Sequence, residues 1–232
     1  MAVFMRSAIL AGLAAAVMLC AVPAIGQLDQ ITSREAVAGL RGALEKGSQV
    51  AVASLGRVDG FFGNPQVKIP LPESLQRTER LMRRVGMGRY ADELVLTLNR
   101  AAEAAVPEAR QLLLDSVKKM TVQDAKGILS GGDTAATEYF RRTTQDTLRK
   151  RFLPIVKKAT SRVELAERYN QYADTAVSFG LVRKEDANLD AYVTQKALDG
   201  LYFMVAEEEK KIRKDPLGAA SAIVRKVFGA IP

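Results

Sequence analysis

The 232-residue chain contains no histidine and no tryptophan, and its single cysteine is Cys20. Those absences remove a Ser-His-Asp triad, a Cys-His dyad, a Cys/His zinc site and a His-ligated haem from consideration. Aromatic residues are scarce, at 6%, while hydrophobic residues make up 48% and charged residues 26%, a globular balance rather than a disordered or collagen-like one. Strand-like alternation is nearly absent. There is no internal repeat, no low-complexity tract and no linker that would split the chain. Neither a cofactor nor a metal is expected from this composition.

What is present begins with an address. Met1 to Ser7 carry one charge, Arg6, and Ala8 to Val22 then run without a charge before Pro23, Ala24, Ile25 and Gly26. A basic start, a short apolar stretch and small residues at its end read as a secretory signal peptide. A membrane anchor needs about 20 apolar residues, and Pro23 interrupts this run first; an uncleaved anchor is the alternative. Ala24 and Gly26 suit cleavage after Gly26, whereas Val22 and Ala24 suit cleavage after Ala24, and both remain open. Residues 1–26 are therefore expected to be the signal peptide and 27–232 one all-helical domain, exported to the periplasm with no membrane span left after cleavage. Leu19 stands where a lipoprotein signal wants a small residue before the acylated cysteine, so Cys20 reads as apolar filler. The cleaved chain would lack thiols altogether.

The formal net charge is +8, and the leader contributes only Arg6 to it. Outside the cytoplasm, such a basic surface meets anionic lipid head groups, lipopolysaccharide phosphates or acidic polymers rather than nucleic acid. The ordinary reading of the same excess is solubility.

Apolar spacing predicts helices throughout. From Ser33, residues Val37, Leu40, Leu44, Ala51 and Leu55 fall on one helix face. Residues 56–72 (GRVDGFFGNPQVKIPLP) break the pattern with Gly56, Gly60, Gly63, Pro65, Pro70 and Pro72, predicting a long loop with a short extended piece near Val67–Ile69. Long loops inside compact domains are often functional. A second helix starts at Pro72 or Glu73 and ends at Gly86-Met87-Gly88, with a left-handed C-cap. A third runs from about Arg89 to Ala105. A fourth opens at Pro107 and ends near Met120. Thr121 and Asp124 resemble a capping box for a short fifth helix to Leu129. Asp133 is placed to cap a sixth, which Pro154 would kink or divide. Residues 160–180 are expected to be helical, a long helix runs from Asn188 or Leu189 to Lys214, and a final one follows Pro216. The fold class is all-α, a single multi-helix domain with one Gly/Pro-rich loop.

Motifs for chemistry are weak. Asp186, Asn188 and Asp190 alternate like calcium ligands, but Ala191 and Ala197 occupy the positions that demand Gly and Glu, so helix capping by Asn188 or Asp190 explains them better. Ser116 to Lys119 spells S-x-x-K without the partner motifs of Ser-Lys acylases. Gly86 and Gly88 form no dinucleotide fingerprint, and Gly131-Gly132 lacks the Lys-Ser/Thr ending of a phosphate loop. Paired carboxylates could cleave glycan without His or Cys, yet no spacing singles out a pair among Asp59, Asp92, Glu93, Glu103, Asp115, Asp124 and Asp133. The stretch from Arg141 to Lys158 holds seven basic residues and one acid, Asp146. It reads as a solvated face over a buried stripe, or as a basic amphipathic helix on an anionic surface. Phe61 and Phe62 stand adjacent in the Gly-rich loop. Both can plug the core, or one can fold inward while the other contacts a partner.

Four stretches carry a resemblance: VDGFFGNPQVKIPLPESLQ (58–76), LNRAAEAAVPEA (98–109), MTVQDAKGILSGGDTAATEYF (120–140) and YVTQKALDGLYFMVAEEEKKIRKDP (192–216). Together they resemble a bacterial family catalogued as domain of unknown function 4197, over about residues 34–228. The resemblance implies an exported, all-α envelope protein of Gram-negative bacteria, and some members are lipoproteins, from which Leu19 sets this chain apart. It implies no activity and no catalytic residue. The leading expectation is a non-enzymatic binding or interaction protein that contacts anionic envelope lipid or polymer, or an envelope protein. The candidate binding residues are Phe61, Phe62 and Asn64 in the loop, with Arg83, Arg84, Arg141, Arg142, Arg149 and Arg151 as anion contacts. The alternative is a carboxylate-dependent hydrolase of cell-wall glycan, and a third reading is a structural subunit of an envelope assembly.

Overall fold

Helical segments with one apolar stripe each are stable only when the stripes cover one another, and that requirement sets the architecture. A computed structural model describes residues 33–163, 166 and 188–214. In chain order these form α1 (Ser33–Leu55), α2 (Glu73–Arg84), α3 (Gly88–Ala105), a 3-10 turn (Val106–Glu108), α4 (Ala109–Lys119), α5 (Val122–Leu129), α6 (Ala135–Thr160) and α7 (Leu189–Lys214). No strand occurs among the described residues, and the fold is all-α.

α6 and α7 are an antiparallel pair that runs the length of the domain. Ala136 and Thr137 at the start of α6 meet Glu209 near the end of α7; Thr144 then meets Tyr202, Arg149 meets Gln195, and Thr160 meets Asp190. At 1.5 Å per residue, each helix is about 39 Å long. α3 packs on both helices of this pair and α1 on α7, while α4 and α5 each pack on both α1 and α6. α2 packs chiefly on α3. The shared core includes Leu40 and Leu55 of α1, Leu94 and Leu98 of α3, Phe140, Leu148 and Phe152 of α6, and Leu201 of α7, all fully buried. Each such side chain contributes about 1.5–3 kcal/mol by leaving water. On α3 the small residues Ala101, Ala102 and Ala105 are wholly buried, which lets its neighbours approach closely.

Several helix ends follow the sequence signals. Thr121 and Asp124 form a reciprocal capping box, Gly86 takes a φ of 79°, and Asn188 Oδ1 accepts the Ala191 N–H at 3.0 Å. Pro107 lies in the 3-10 turn that leads into α4. Two expectations are corrected. Pro154 neither divides nor ends α6, which continues to Thr160. Pro154 and Lys150 both face solvent, so water can solvate the Lys150 carbonyl that loses its partner. Asp133 does not cap α6: Thr134 is the boundary residue, it makes no side-chain cap, and the capping group comes from α7. Residues 58–63 and 65–67 form turns, and no strand forms at Val67–Ile69. The signal segment, the helix expected through residue 180 and the final helix after Pro216 lie outside the described residues.

Candidate functional site

The segment 56–72 has no helix or sheet to satisfy its main chain, so its buried N–H and C=O groups need side-chain partners. One stretch of α3 supplies them. Asn99 Oδ1 accepts the Ile69 N–H at 2.8 Å, while its Nδ2 donates to the Ile69 carbonyl at 2.9 Å and to the Val95 carbonyl at 2.8 Å. Buried Glu103 accepts the Phe61 and Phe62 N–H groups on Oε1, at 3.0 and 3.1 Å. Its Oε2 accepts Arg100 Nη1 at 2.6 Å, and Arg100 Nη2 reaches Asp59 Oδ1 at 2.8 Å. The chain enters this arrangement through a sharp bend. Asp59 has a φ of 64°, and a Cβ at Gly60 would lie 2.3 Å from the Leu55 carbonyl oxygen, so only glycine fits there.

α7 holds the other side of the loop. Phe61 is fully buried with its ring edge against Gly200, where a Cβ would come 2.6 Å from Phe61 Cε1. The Tyr192 hydroxyl donates to the Pro70 carbonyl at 3.0 Å, and Asn64 Nδ2 approaches Met204 Sδ at 3.9 Å. The two phenylalanines therefore divide their roles. Phe61 is a core residue: its apolar ring beside a bare glycine is buried by the hydrophobic effect. Phe62 stays half-buried at the rim. Lys68 Nζ lies 4.1 Å from its ring centroid and the Arg100 guanidinium 5.9 Å, so the ring face carries two cations. Asn64 Oδ1 accepts the Gln66 N–H at 3.1 Å, so this side chain shapes the turn.

The six arginines are not gathered into one pocket. Arg83 and Arg84 lie at the end of α2. Arg83 bonds Glu79 at 2.9 Å and Asp92 at 2.5 Å; these partners raise the guanidinium's pKa above its ordinary value, and Arg83 holds the Asp92 carboxyl below its own. Arg84 is exposed. The other four lie on α6. Arg141 stacks over the Tyr202 ring at 4.7 Å and sits 4.0 Å from Asp199. Arg142 lies over the Tyr139 ring at 5.6 Å and 3.2 Å from Asp124. Arg149 donates to Gln195 Oε1 at 2.6 Å, and Arg151 is exposed.

Two buried carboxylates join helices: the sequence did not single out Glu209, and it marked Asp190 only as a calcium-like position or a helix cap. Glu209 is buried on α7 and closes the start of α6. Its Oε1 accepts the Ala136 N–H at 2.9 Å, and its Oε2 accepts both the N–H and the hydroxyl of Thr137 at 2.9 Å. Arg213 bonds the same carboxylate at 2.9 Å and the Ile128 carbonyl at 2.9 Å, which ties in the end of α5. Buried Asp190 accepts the Thr160 hydroxyl. The readable signal was position: Glu209 lies four residues after buried Val205 and three after buried Ala206, on the apolar face of α7.

An open groove of about 470 Å³ runs between α4 and α6. Asp115, Ser116, Lys119, Asp124, Arg142 and Thr143 are among its lining residues, so both residues of the S-x-x-K pattern border it. Ser116 Oγ and Thr143 Oγ1 are 2.7 Å apart, and the Tyr139 hydroxyl donates to the Ser116 carbonyl at 2.7 Å. The Thr121 hydroxyl and N–H, with Arg142 beyond them, hold the Asp124 carboxyl below its usual range. Burial pushes the Tyr202 phenol up to about 12, against a smaller opposite effect of the Thr144 hydroxyl. Among the described residues, no group of three or more Asp, Glu, Cys or His side chains could hold a metal, and no helix is long and apolar enough to cross a membrane.

These features define an all-helical domain in which buried Asn99, Glu103 and Glu209 fix the loop and join helices. The chain belongs to the family described as Protein of unknown function (DUF4197), whose model matches residues 30–229. No curated protein and no solved structure matches the chain.

Proposed function

We propose that the protein is a non-enzymatic binding protein of the bacterial envelope, exported to the periplasm through residues 1–26, with a basic surface that contacts anionic lipid or polymer. One observation carries this reading. The outer face of α6 presents Arg149, Lys150, Arg151, Lys157 and Lys158, all exposed, and no acid occurs from Thr147 to Thr160. Exposed Leu153 lies among them, so the face pairs cations with apolar surface. Phe62 adds an aromatic contact on the loop, with Lys68 at its ring, while Arg100 beside it is engaged by Glu103 and Asp59. Each basic residue near an anionic membrane contributes about 1 kcal/mol.

The test is partitioning of the chain from Gln27 onward, which contains the whole described core, onto phosphatidylglycerol vesicles, neutral vesicles and heparin across a salt series. Binding to the anionic supports that weakens with salt is expected, with a clear loss in a Lys150→Gln/Arg151→Gln/Lys157→Gln/Lys158→Gln variant. Equal retention on neutral and anionic supports at low salt would refute the reading. The mass of protein recovered from the periplasm tests export and cleavage in the same preparation.

A glycan hydrolase finds its best-placed carboxylates in Asp115 and Asp124, which share the α4–α6 groove. A general acid needs a carboxyl pKa above its ordinary value. Asp124 is shifted the other way and fits only the ionised partner, so Asp115 would have to be the acid, and the binding reading is preferred. Release of reducing ends from peptidoglycan, lost in Asp115→Asn, would reverse that preference.

A further inference from the structure

The turn between α2 and α3 exposes apolar side chains at unusual density for one short segment. Leu81 is 61% exposed, Val85 62%, Met87 46% and Tyr90 44%. Leu81 and Val85 lie four residues apart on one face of α2, and Met87 and Tyr90 continue past the left-handed Gly86 into α3. A soluble surface scatters such residues singly, and a cluster marks an interaction site.

The charge on this tip is mostly positive, with Asp92 and Glu93 following in the first turns of α3 and Glu93 acting on Arg89. Residues 77–90 contain five arginines, no lysine and one acid, Glu79. Glu79 is occupied by Arg83, which also bonds Asp92 and so ties α2 to α3 at the base of the tip. Arg77, Arg80 and Arg84 are exposed and form no ion pair among the described residues. Exposed Arg89 lies over the Tyr90 ring at 5.1 Å. Arginine is the cation whose planar fork matches phosphate oxygens two at a time. Its stem can also lie along apolar surface while its head stays at a polar boundary.

We infer that the α2–α3 tip docks on an anionic phospholipid bilayer. Leu81, Val85, Met87 and Tyr90 enter the boundary of the acyl region, and Arg77, Arg80, Arg84 and Arg89 grip the headgroup phosphates. Alternation of bare apolar side chains with arginines that form no ion pair among the described residues fits a phosphate-bearing amphiphilic surface, because water hydrates the cations but not the apolar side chains, whereas a bilayer boundary offers both phosphate and hydrocarbon. The inference rests on the envelope-binding reading and assigns it a second contact element, distinct from the outer face of α6.

The absence of tryptophan supplies a clean reporter. In the chain from Gln27, Leu81→Trp introduces a lone indole at the tip. With vesicles of phosphatidylglycerol and phosphatidylcholine, its emission is expected to shift to the blue and to become shielded from iodide, but not with phosphatidylcholine alone. Vesicle partitioning should fall about a hundredfold in Arg77→Gln/Arg80→Gln/Arg84→Gln and severalfold or more in Leu81→Ser/Val85→Ser/Met87→Ser. All six positions face outward, so unchanged helical circular dichroism is expected. A lone tryptophan that stays solvent-exposed on vesicles the protein does bind would overturn the tip assignment, as would full retention of binding by both tip variants. In that case loss confined to the α6 variant would leave the envelope reading standing. Failure of the unaltered chain to prefer anionic vesicles would end both. Concentration-dependent dimers abolished by the tip variants, without vesicle binding, would instead assign the tip to a second copy and overturn the inference.

Discussion

Replacing Glu209 with alanine removes a cap that one helix provides to another. In the native structure three donors at the start of α6 converge on this carboxylate: the Ala136 N–H and the N–H and hydroxyl of Thr137. Arg213 bonds the same group from within α7. A lost helix cap costs about 1 kcal/mol, and each stranded buried donor costs about 1–3 kcal/mol. Breaking a buried ion pair from one side costs about 3–5 kcal/mol. These contributions overlap, because the same oxygens serve all of them, so the expected loss for Glu209→Ala is about 3–5 kcal/mol rather than their sum. Glu209→Gln keeps the shape and one acceptor but not the charge, and should lose about half as much, since charge-assisted bonds are roughly twice as strong as neutral ones. Arg213→Met leaves Glu209 with its three donors and should cost less than Glu209→Ala. The assay is urea unfolding followed by far-ultraviolet circular dichroism, with the midpoint read at constant slope. A loss of 3–5 kcal/mol moves the midpoint by about 2 M for a slope near 2 kcal/mol per molar. A Glu209→Ala protein within about 1 kcal/mol of the parent would refute the capping argument. So would an Arg213→Met variant more damaging than Glu209→Ala, since the energy would then reside in the arginine rather than in the cap.

Other perturbations follow from the loop and its neighbours. Glu103→Ala leaves the Phe61 and Phe62 N–H groups without their acceptor; a loss of about 2–4 kcal/mol, with faster amide exchange at both residues, is expected, and unchanged exchange would contradict the clamp. Gly200→Ala forces a methyl onto the buried Phe61 ring, so it should cost about 1–3 kcal/mol, whereas Gly42→Ala, with nothing within 4 Å of the new Cβ, should add up to about 1 kcal/mol of stability; thermal melts of the two variants should move in opposite directions. Tyr202 should be a late-titrating tyrosine in ultraviolet difference spectra, near pH 12. Because its folded pKa lies above the unfolded value of 10.0, its stabilising effect is complete below pH 10 and is lost as the pH rises toward 12; Tyr202→Phe should remove that late step. The depressed Asp124 carboxyl works in the opposite sense, stabilising above its unfolded pKa and losing that effect as acid protonates it, and Asp124→Asn should flatten this part of the acid melting profile.

Much of the helix inventory could be read locally because the signals themselves are local. Thr121 with Asp124, Gly86, and Asn188 all satisfy main-chain groups within a few residues, and the structure uses each of them. The misjudged start of α6 had a non-local cause, since its acceptor comes from a residue more than seventy positions away. Pro154 does not divide α6, because the hydrogen bond it removes lies on the solvent side of the helix. At the loop, adjacent aromatics and glycines drew attention to Phe61 and Phe62, but not to the groups that hold them. Asn99 and Glu103 lie one turn apart on a flank of α3 shared with Val95, Ala102 and Val106, and that pair of polar residues beside apolar ones was the available clue. The arginines at 83 and 84 belong to an exposed helix end whose apolar neighbours, Leu81 in α2 and Val85 at its C-cap, are also exposed.

α3 grips the Gly/Pro segment by its main chain. The Ile69, Phe61 and Phe62 amides are held whatever side chains they carry, and within this stretch the Phe61 ring and the tight bend at Gly60 are the parts that tolerate least change. The segment thus behaves as a mounting with interchangeable faces: substitutions at Phe62, Gln66 or Lys68 can redraw the chemistry of the rim while the helices beneath stay as they are. A lineage could retune what this rim touches without refolding the domain, and an engineer could use the same socket to display a short foreign motif.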